Sequence, residues 1–230
     1  MGDIAEKIYS IAVDGPSGAG KSSLAKAIAA DLHILYVDTG AIYRTIGCYA
    51  RRKGVETADT EAVIALLPEV EIGMCYDAQG LQHMLLHGED VTEEIRLPEM
   101  SLYASAVSAI PEVRAFLLEM QRDFARKSSV IMDGRDIGTV VLPHADVKIF
   151  LKADVEVRAR RREIELQERG TPRPYKQVLE EMRQRDYNDT HRSAAPLRAA
   201  EDAVIVDTSD LDFQQSKEKL LEIIREKVGL

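Results

Sequence analysis

The sequence predicts an α/β protein, a three-layer fold with a parallel central sheet and a small antiparallel subdomain set into it. Three observations carry that prediction. Five short apolar runs do not alternate with polar residues, as expected of parallel strands covered on both faces. Helical patterns separate these runs. One stretch, 70–86, breaks the alternation and reads as a hairpin around a Gly-bearing turn. A chain of 230 residues suits one large domain, or one domain carrying an insertion.

In chain order, the run 8–14 predicts the first strand, followed by a glycine-rich stretch and a helix through Leu24, Ile28 and Leu32. The run 34–38 predicts a second strand, and 41–53 a helix closed by Gly54. The hairpin belongs to an insert at 65–103. A helix over 111–127 precedes strands at 129–133 and 147–151. Helices over 155–169 and 175–190 flank a break at Gly170 and Pro172. A strand at 203–207 and a helix over 213–228 close the chain. The expected organisation is core at 1–64, insert at 65–103, core at 104–155, lid at 156–173 and core at 174–230.

Composition narrows the classes. Lys and Arg number 30 against 39 Asp and Glu, a net charge of -9, which weighs against a nucleic-acid partner. No apolar run approaches the ~20 residues that span a bilayer, and the first ten residues have no signal-peptide core. Cys48 and Cys75 stand far apart without clustered His, which argues against a disulfide framework or zinc site. The expectation is a soluble protein of a reducing cytoplasm, with no membrane partner.

Gly15-Pro16-Ser17-Gly18-Ala19-Gly20-Lys21-Ser22 fits the phosphate-binding pattern G-x-x-x-x-G-K-[ST], between a predicted strand and a predicted helix. Glycines let successive N–H groups curl around phosphate oxygens, and the helix adds the positive end of its dipole. Lys21 would reach the β- and γ-phosphates, and the Ser22 hydroxyl would ligate Mg²⁺. Together with Ser23, these residues form the expected ATP site. A glycine-rich turn matching by chance is the bland alternative, and the flanking strand and helix speak against it.

The arginines point to a second anion. Arg158, Arg161 and Arg162 share one helix face, while Arg160 points elsewhere. They form either a solvated face paired to Glu156, Glu163 and Glu165, or a catalytic clamp that closes over phosphates. Arg185, Asp189 and Arg192 fall at i, i+4 and i+7. This is either an intrahelical ion-pair ladder, or a stripe holding a ribose hydroxyl and a phosphate.

Asp133-Gly-Arg135-Asp136-Ile-Gly138 follows a strand, at the edge where open α/β sheets bind ligands. It is either a turn in which Asp136 accepts backbone N–H bonds, or part of the site. Asp133 would stand one layer out from Mg²⁺. Arg44 lies one turn into the helix after the second strand, within reach of a phosphate at that edge. One triphosphate does not need so many arginines, so a phosphorylated, nucleotide-like acceptor is preferred over water. The rivals are another small-molecule kinase, with a different monophosphate or a shikimate-like acceptor, and a nucleotide switch with no acceptor.

Gly15–Ser22, 38–44 (DTGAIYR), 88–96 (GEDVTEEIR), 133–141 (DGRDIGTVV) and 185–197 (RDYNDTHRSAAPL) together resemble the bacterial cytidylate kinases, over essentially the whole chain. The resemblance implies a nucleoside monophosphate kinase fold with an NMP-binding insert and a short lid. It implies ATP-dependent phosphorylation of CMP and dCMP in pyrimidine nucleotide metabolism, with Mg²⁺ accompanying ATP, by a monomer. Matched position by position, its CMP site falls on Thr39, Arg44, Ser105, Arg114, Arg135, Asp136, Arg185, Asp189 and Arg192. Ser105 and Arg114 can donate to cytosine O2 and N3, and Asp136 can accept from the N4 amino group. Uracil would present a carbonyl to Asp136 instead. Two departures stand out: Thr39 where many relatives have Ser, and Ser23 where Thr is commoner.

Overall fold

The computed structural model describes residues 8–97 and 99–230. Residues 1–7, most of the N-terminal stretch expected to lack a signal-peptide core, and residue 98 lie outside the described residues. Five strands, β1 (Ser10–Asp14), β2 (Leu35–Asp38), β6 (Val130–Gly134), β7 (Val147–Lys152) and β8 (Val204–Asp207), form one sheet in the order β2-β6-β1-β7-β8. Every pairing in it is parallel. The register brings Asp14 opposite Gly134 and Asp38 opposite Asp133, so three strands end at one level.

Residues alternate between two apolar layers. Ala12, Val37, Val130 and Met132 pack toward α2 (Thr39–Arg52), α4 (Met100–Val107) and α5 (Pro111–Lys127). Ile11, Val13, Ile131 and Ile149 pack toward α1 (Lys21–Leu32) and α8 (Phe213–Val228). A third cluster, Ala159, Leu166, Val178 and Met182, joins α6 (Val155–Glu168) to α7 (Tyr175–His191). Burial on both faces is why the strands read as unbroken apolar runs.

The insert forms a three-stranded antiparallel sheet from β3 (Ile72–Tyr76), β4 (Gln82–Leu86) and β5 (Glu89–Asp90). Two side chains tie it to the edge strand β2. Gln82 Oε1 accepts from the Asp38 N–H at 2.8 Å, and the Tyr76 hydroxyl donates to the Tyr36 carbonyl at 2.7 Å. These bonds satisfy backbone groups that an edge strand otherwise leaves open.

The elements the sequence did not announce are short: α3 (Thr60–Leu66), α4 and β5. Helix α2 starts two residues before the predicted 41 because the Asp38 side chain caps it, accepting from the Ala41 N–H. The stripe read across Arg185, Asp189 and Arg192 is corrected as well. Helix α7 ends at His191, and Arg192 has extended backbone, φ -62° and ψ 143°, so it leaves the helical face.

Candidate active site

One cleft of about 1220 Å³ runs along the carboxyl edge of the sheet. All the predicted site residues line it except Gly15, Pro16 and Arg158. The P-loop forms one end. Gly15, at φ 147°, has no room for a Cβ because the Leu151 carbonyl lies against it. Gly18, at φ 75°, would put a Cβ 2.7 Å from Met182 Cε. Gly20 precedes helix α1 as its N-cap residue, and no side chain caps the first amides of the helix, which leaves them for an anion.

Lys21 folds back so that Nζ donates to the Pro16 carbonyl at 2.7 Å. Burial, then the neighbouring Arg135 charge, holds its ammonium down to about 7. Ser22 donates to Asp133 Oδ2 at 2.8 Å, and the Tyr36 hydroxyl donates to Asp133 Oδ1 at 2.8 Å. Burial and then Asp38 push the Asp133 carboxyl up to about 6, opposed by Lys21. Thr39 donates to the Asp133 carbonyl at 2.7 Å, so its hydroxyl is engaged with the backbone.

The other end of the cleft is built from arginines and two buried carboxylates. Asp136 pairs with Arg114 through a short bond, and its second oxygen lies 3.8 Å from Arg192 Nη2. Asp189 accepts from Arg135 Nε at 2.8 Å. The ladder alternative on α7 is therefore not formed, since Asp189 pairs across the cleft and Arg185 reaches Ser17 Oγ at 3.3 Å. Arg44 pairs with Asp38 at 2.8 Å. Ser105 is half-buried on the wall formed by α4.

Among the described residues, four buried side-chain polar atoms lack a hydrogen-bond partner, and three are arginine nitrogens here: Arg44 Nε, Arg185 Nε and Arg192 Nη2. Burial, then Arg135, lowers Arg185 to about 10. Such donors are costly unless they meet an acceptor.

The turn alternative for Asp136 is also resolved. The carboxylate that accepts the N–H groups of Ile137 and Gly138, both at 2.7 Å, belongs to Asp14. Burial pushes the Asp14 carboxyl up to about 7 against those two bonds. Arg122 grips the same turn from outside, donating to the Val141 and Val140 carbonyls at 3.0 and 3.1 Å. Ser108 accepts from Arg192 Nη1 at 3.2 Å on its hydroxyl and from Arg114 Nη1 at 3.1 Å on its carbonyl. Sequence reasoning missed Asp14, Tyr36, Ser108 and Arg122. The one available signal was a charged residue, Asp14, ending an otherwise apolar strand.

The arginines of α6 diverge rather than share one task. Arg162 pairs with Glu165 at 2.7 Å on the cleft wall. Arg161 donates to the Thr208 carbonyl at 2.7 Å and the Leu211 carbonyl at 3.3 Å. Arg158 is buried behind the P-loop, its Nε and both terminal nitrogens engaged by protein acceptors, so the expected three-arginine clamp is not assembled.

The family model for cytidylate kinase matches residues 11–226. A cytidylate kinase of Caldicellulosiruptor saccharolyticus is 47% identical over 97% of this chain and 98% of its own length. One of Solibacter usitatus is 43% identical over 99% of this chain and 97% of its own. The solved structure of an uncharacterized protein from Eubacterium ventriosum, 16% identical, shares the fold with a TM-score of 0.51 over 96% of this chain and 99% of that one. With a match spanning both the phosphate-binding loop and the arginine-lined end of the cleft, the chain belongs to the cytidylate kinase family.

Proposed function

We propose that the protein transfers the γ-phosphoryl group of Mg·ATP to the 5′-phosphate of CMP or dCMP, giving CDP or dCDP and ADP. The observation that carries this reading is the set of guanidinium nitrogens without a hydrogen-bond partner at Arg44, Arg185 and Arg192, in the same cleft as the P-loop. They are hydrogen-bond donors with a fixed positive charge, suited to an anionic acceptor rather than to water. The family membership supports the same substrate class.

The P-loop amides and Lys21 bind the donor phosphates, and Lys21 leaves the Pro16 carbonyl for a γ-oxygen. The Ser22 hydroxyl donates to Asp133, which aims its lone pairs away from that carboxylate. Ser22 would ligate Mg²⁺, with Asp133 one layer out, and the ion would supply neutralisation of the donor's phosphate charge. Arg44, Arg135, Arg185 and Arg192 orient the acceptor phosphate and sugar, with Asp189 on a ribose hydroxyl. Thr39, Ser105, Arg114 and Asp136 border the base. The acceptor phosphate is already an anion, so no strong general base is needed, and positioning and charge neutralisation supply the catalysis.

Segment 156–173 acts as the lid and 65–103 as the acceptor-side insert. Arg162 exchanges its partly exposed pair with Glu165 for the transferring group, an exchange that costs little. Arg161 steadies the lid against the carbonyls after β8. The enzyme acts as a monomer in a reducing cytoplasm. Among the described residues, no helix is long and apolar enough to cross a membrane.

The test is ADP release measured across CMP, dCMP, UMP, AMP and GMP, with shikimate as a further acceptor. CMP and dCMP are expected to drive turnover well above the others. Slow ATP hydrolysis indifferent to every acceptor would replace the kinase with a nucleotide switch.

A further inference from the structure

We propose that Asp186 is a positioning residue of the donor site, acting through Arg158 on the peptide between Ser17 and Gly18. Asp186 holds the Arg158 guanidinium with both carboxylate oxygens, at 3.1 and 2.6 Å. Arg158 is 4% exposed, and it donates through Nη1 to the Ser17 carbonyl at 3.0 Å and through Nε to the Ala153 carbonyl at 2.8 Å. A fork set this way has one orientation.

The consequence follows from peptide geometry. In a planar trans peptide the carbonyl and the next N–H point in opposite directions. Arg158 lies behind the loop, so pinning the Ser17 carbonyl to it turns the Gly18 N–H toward the cleft that Gly18 lines. A donor phosphate there meets an N–H rather than the negative end of a carbonyl. The tight seat of Gly18 against Met182 Cε and Arg158 Cβ keeps the loop on this support. The residue before Asp186, Arg185, reaches Ser17 Oγ, so two consecutive residues of α7 bear on Ser17, one directly and one through Arg158.

The inference rests on the ATP-dependent reading above, and it predicts a split between the two substrates. Asp186→Ala is expected to raise KM for ATP by about fivefold or more, and to leave KM for CMP within about twofold. Arg158→Met is expected to do the same. If the carboxylate works only through the guanidinium, Arg158→Met combined with Asp186→Ala loses no more kcat/KM for ATP than the worse single variant. The combined variant also melts above Asp186→Ala, because no buried charge is left without its partner.

Losses that multiply, KM values for ATP and CMP that rise together, or a lower Tm with both KM values unchanged would each overturn the proposal. If Asp186→Ala does not fold, Asp186→Asn takes its place in the same cycle with the same expectations. Equilibrium binding of Mg·ATP to the same variants, without acceptor, reads the clamp even if CMP drives no turnover in the wild type. That last result would instead remove the kinase reading.

Discussion

Lys21 is buried, and burial with the neighbouring Arg135 charge holds its ammonium down to about 7, against 10.5 for an ordinary lysine. Between those values the unfolded chain binds more protons, so this group's contribution to stability rises with pH, and below pH 7 its full cost is present. Lys21→Met removes that slope. From about pH 7.5 to about pH 9.5 the wild type is expected to gain on the order of 2–3 kcal/mol relative to the variant, measured by urea unfolding. Turnover is expected to fall by orders of magnitude with the fold intact, and an active Lys21→Met enzyme would refute the role of the P-loop.

At the far end of the cleft, Arg114 and Arg192 flank Asp136, the residue proposed to discriminate against uracil. Asp136→Ala is expected to narrow the CMP-to-UMP ratio of kcat/KM by roughly tenfold or more, read in paired assays. An unchanged ratio would take Asp136 out of base recognition.

At the scale of elements, side chains from distant segments hold the turn after β6 and the insert in place. The turn 134–141 hangs between Asp14 on one side and Arg122 on the other. Asp14→Asn puts an amide N–H₂ against one of two backbone N–H groups, and is expected to cost about 1–3 kcal/mol in denaturant unfolding. Gln82→Ala leaves the Asp38 N–H without its partner, next to Thr39 and Arg44. A rise of about threefold in KM for CMP, with KM for ATP unchanged, is the expected outcome in steady-state kinetics.

These same contacts mark where the sequence stopped being legible. The P-loop announced itself because its glycines, lysine and serine are consecutive, and the strands because both their faces are apolar. Asp14, Tyr36, Ser108 and Arg122 act through tertiary contacts, which leave no periodic trace. The α6 arginines show the opposite error: spacing placed Arg158, Arg161 and Arg162 together, yet burial and local acceptors sent each to a different partner. Helices α3 and α4 were missed because seven or eight residues give barely two turns of pattern.

Over the whole molecule, a net charge of -9 repels anionic nucleotides at long range, while the arginines concentrate positive potential in the cleft. Salt screens both, but the focused attraction in the cleft governs capture. Raising NaCl from about 0.05 M to about 0.5 M is expected to lower kcat/KM for ATP and CMP by several-fold, with kcat changing less. A rate unmoved by salt would mean that the charges in the cleft do not steer the substrates.

The two N–H bonds accepted by Asp14 join stretches 123 residues apart, the last residue before the donor loop and the turn that presents Arg135 and Asp136. Swapping the first thirty residues for those of a distant relative would therefore disturb the reading of the pyrimidine ring at the opposite end. Chimeras should keep their acceptor preference only when both stretches come from the same parent.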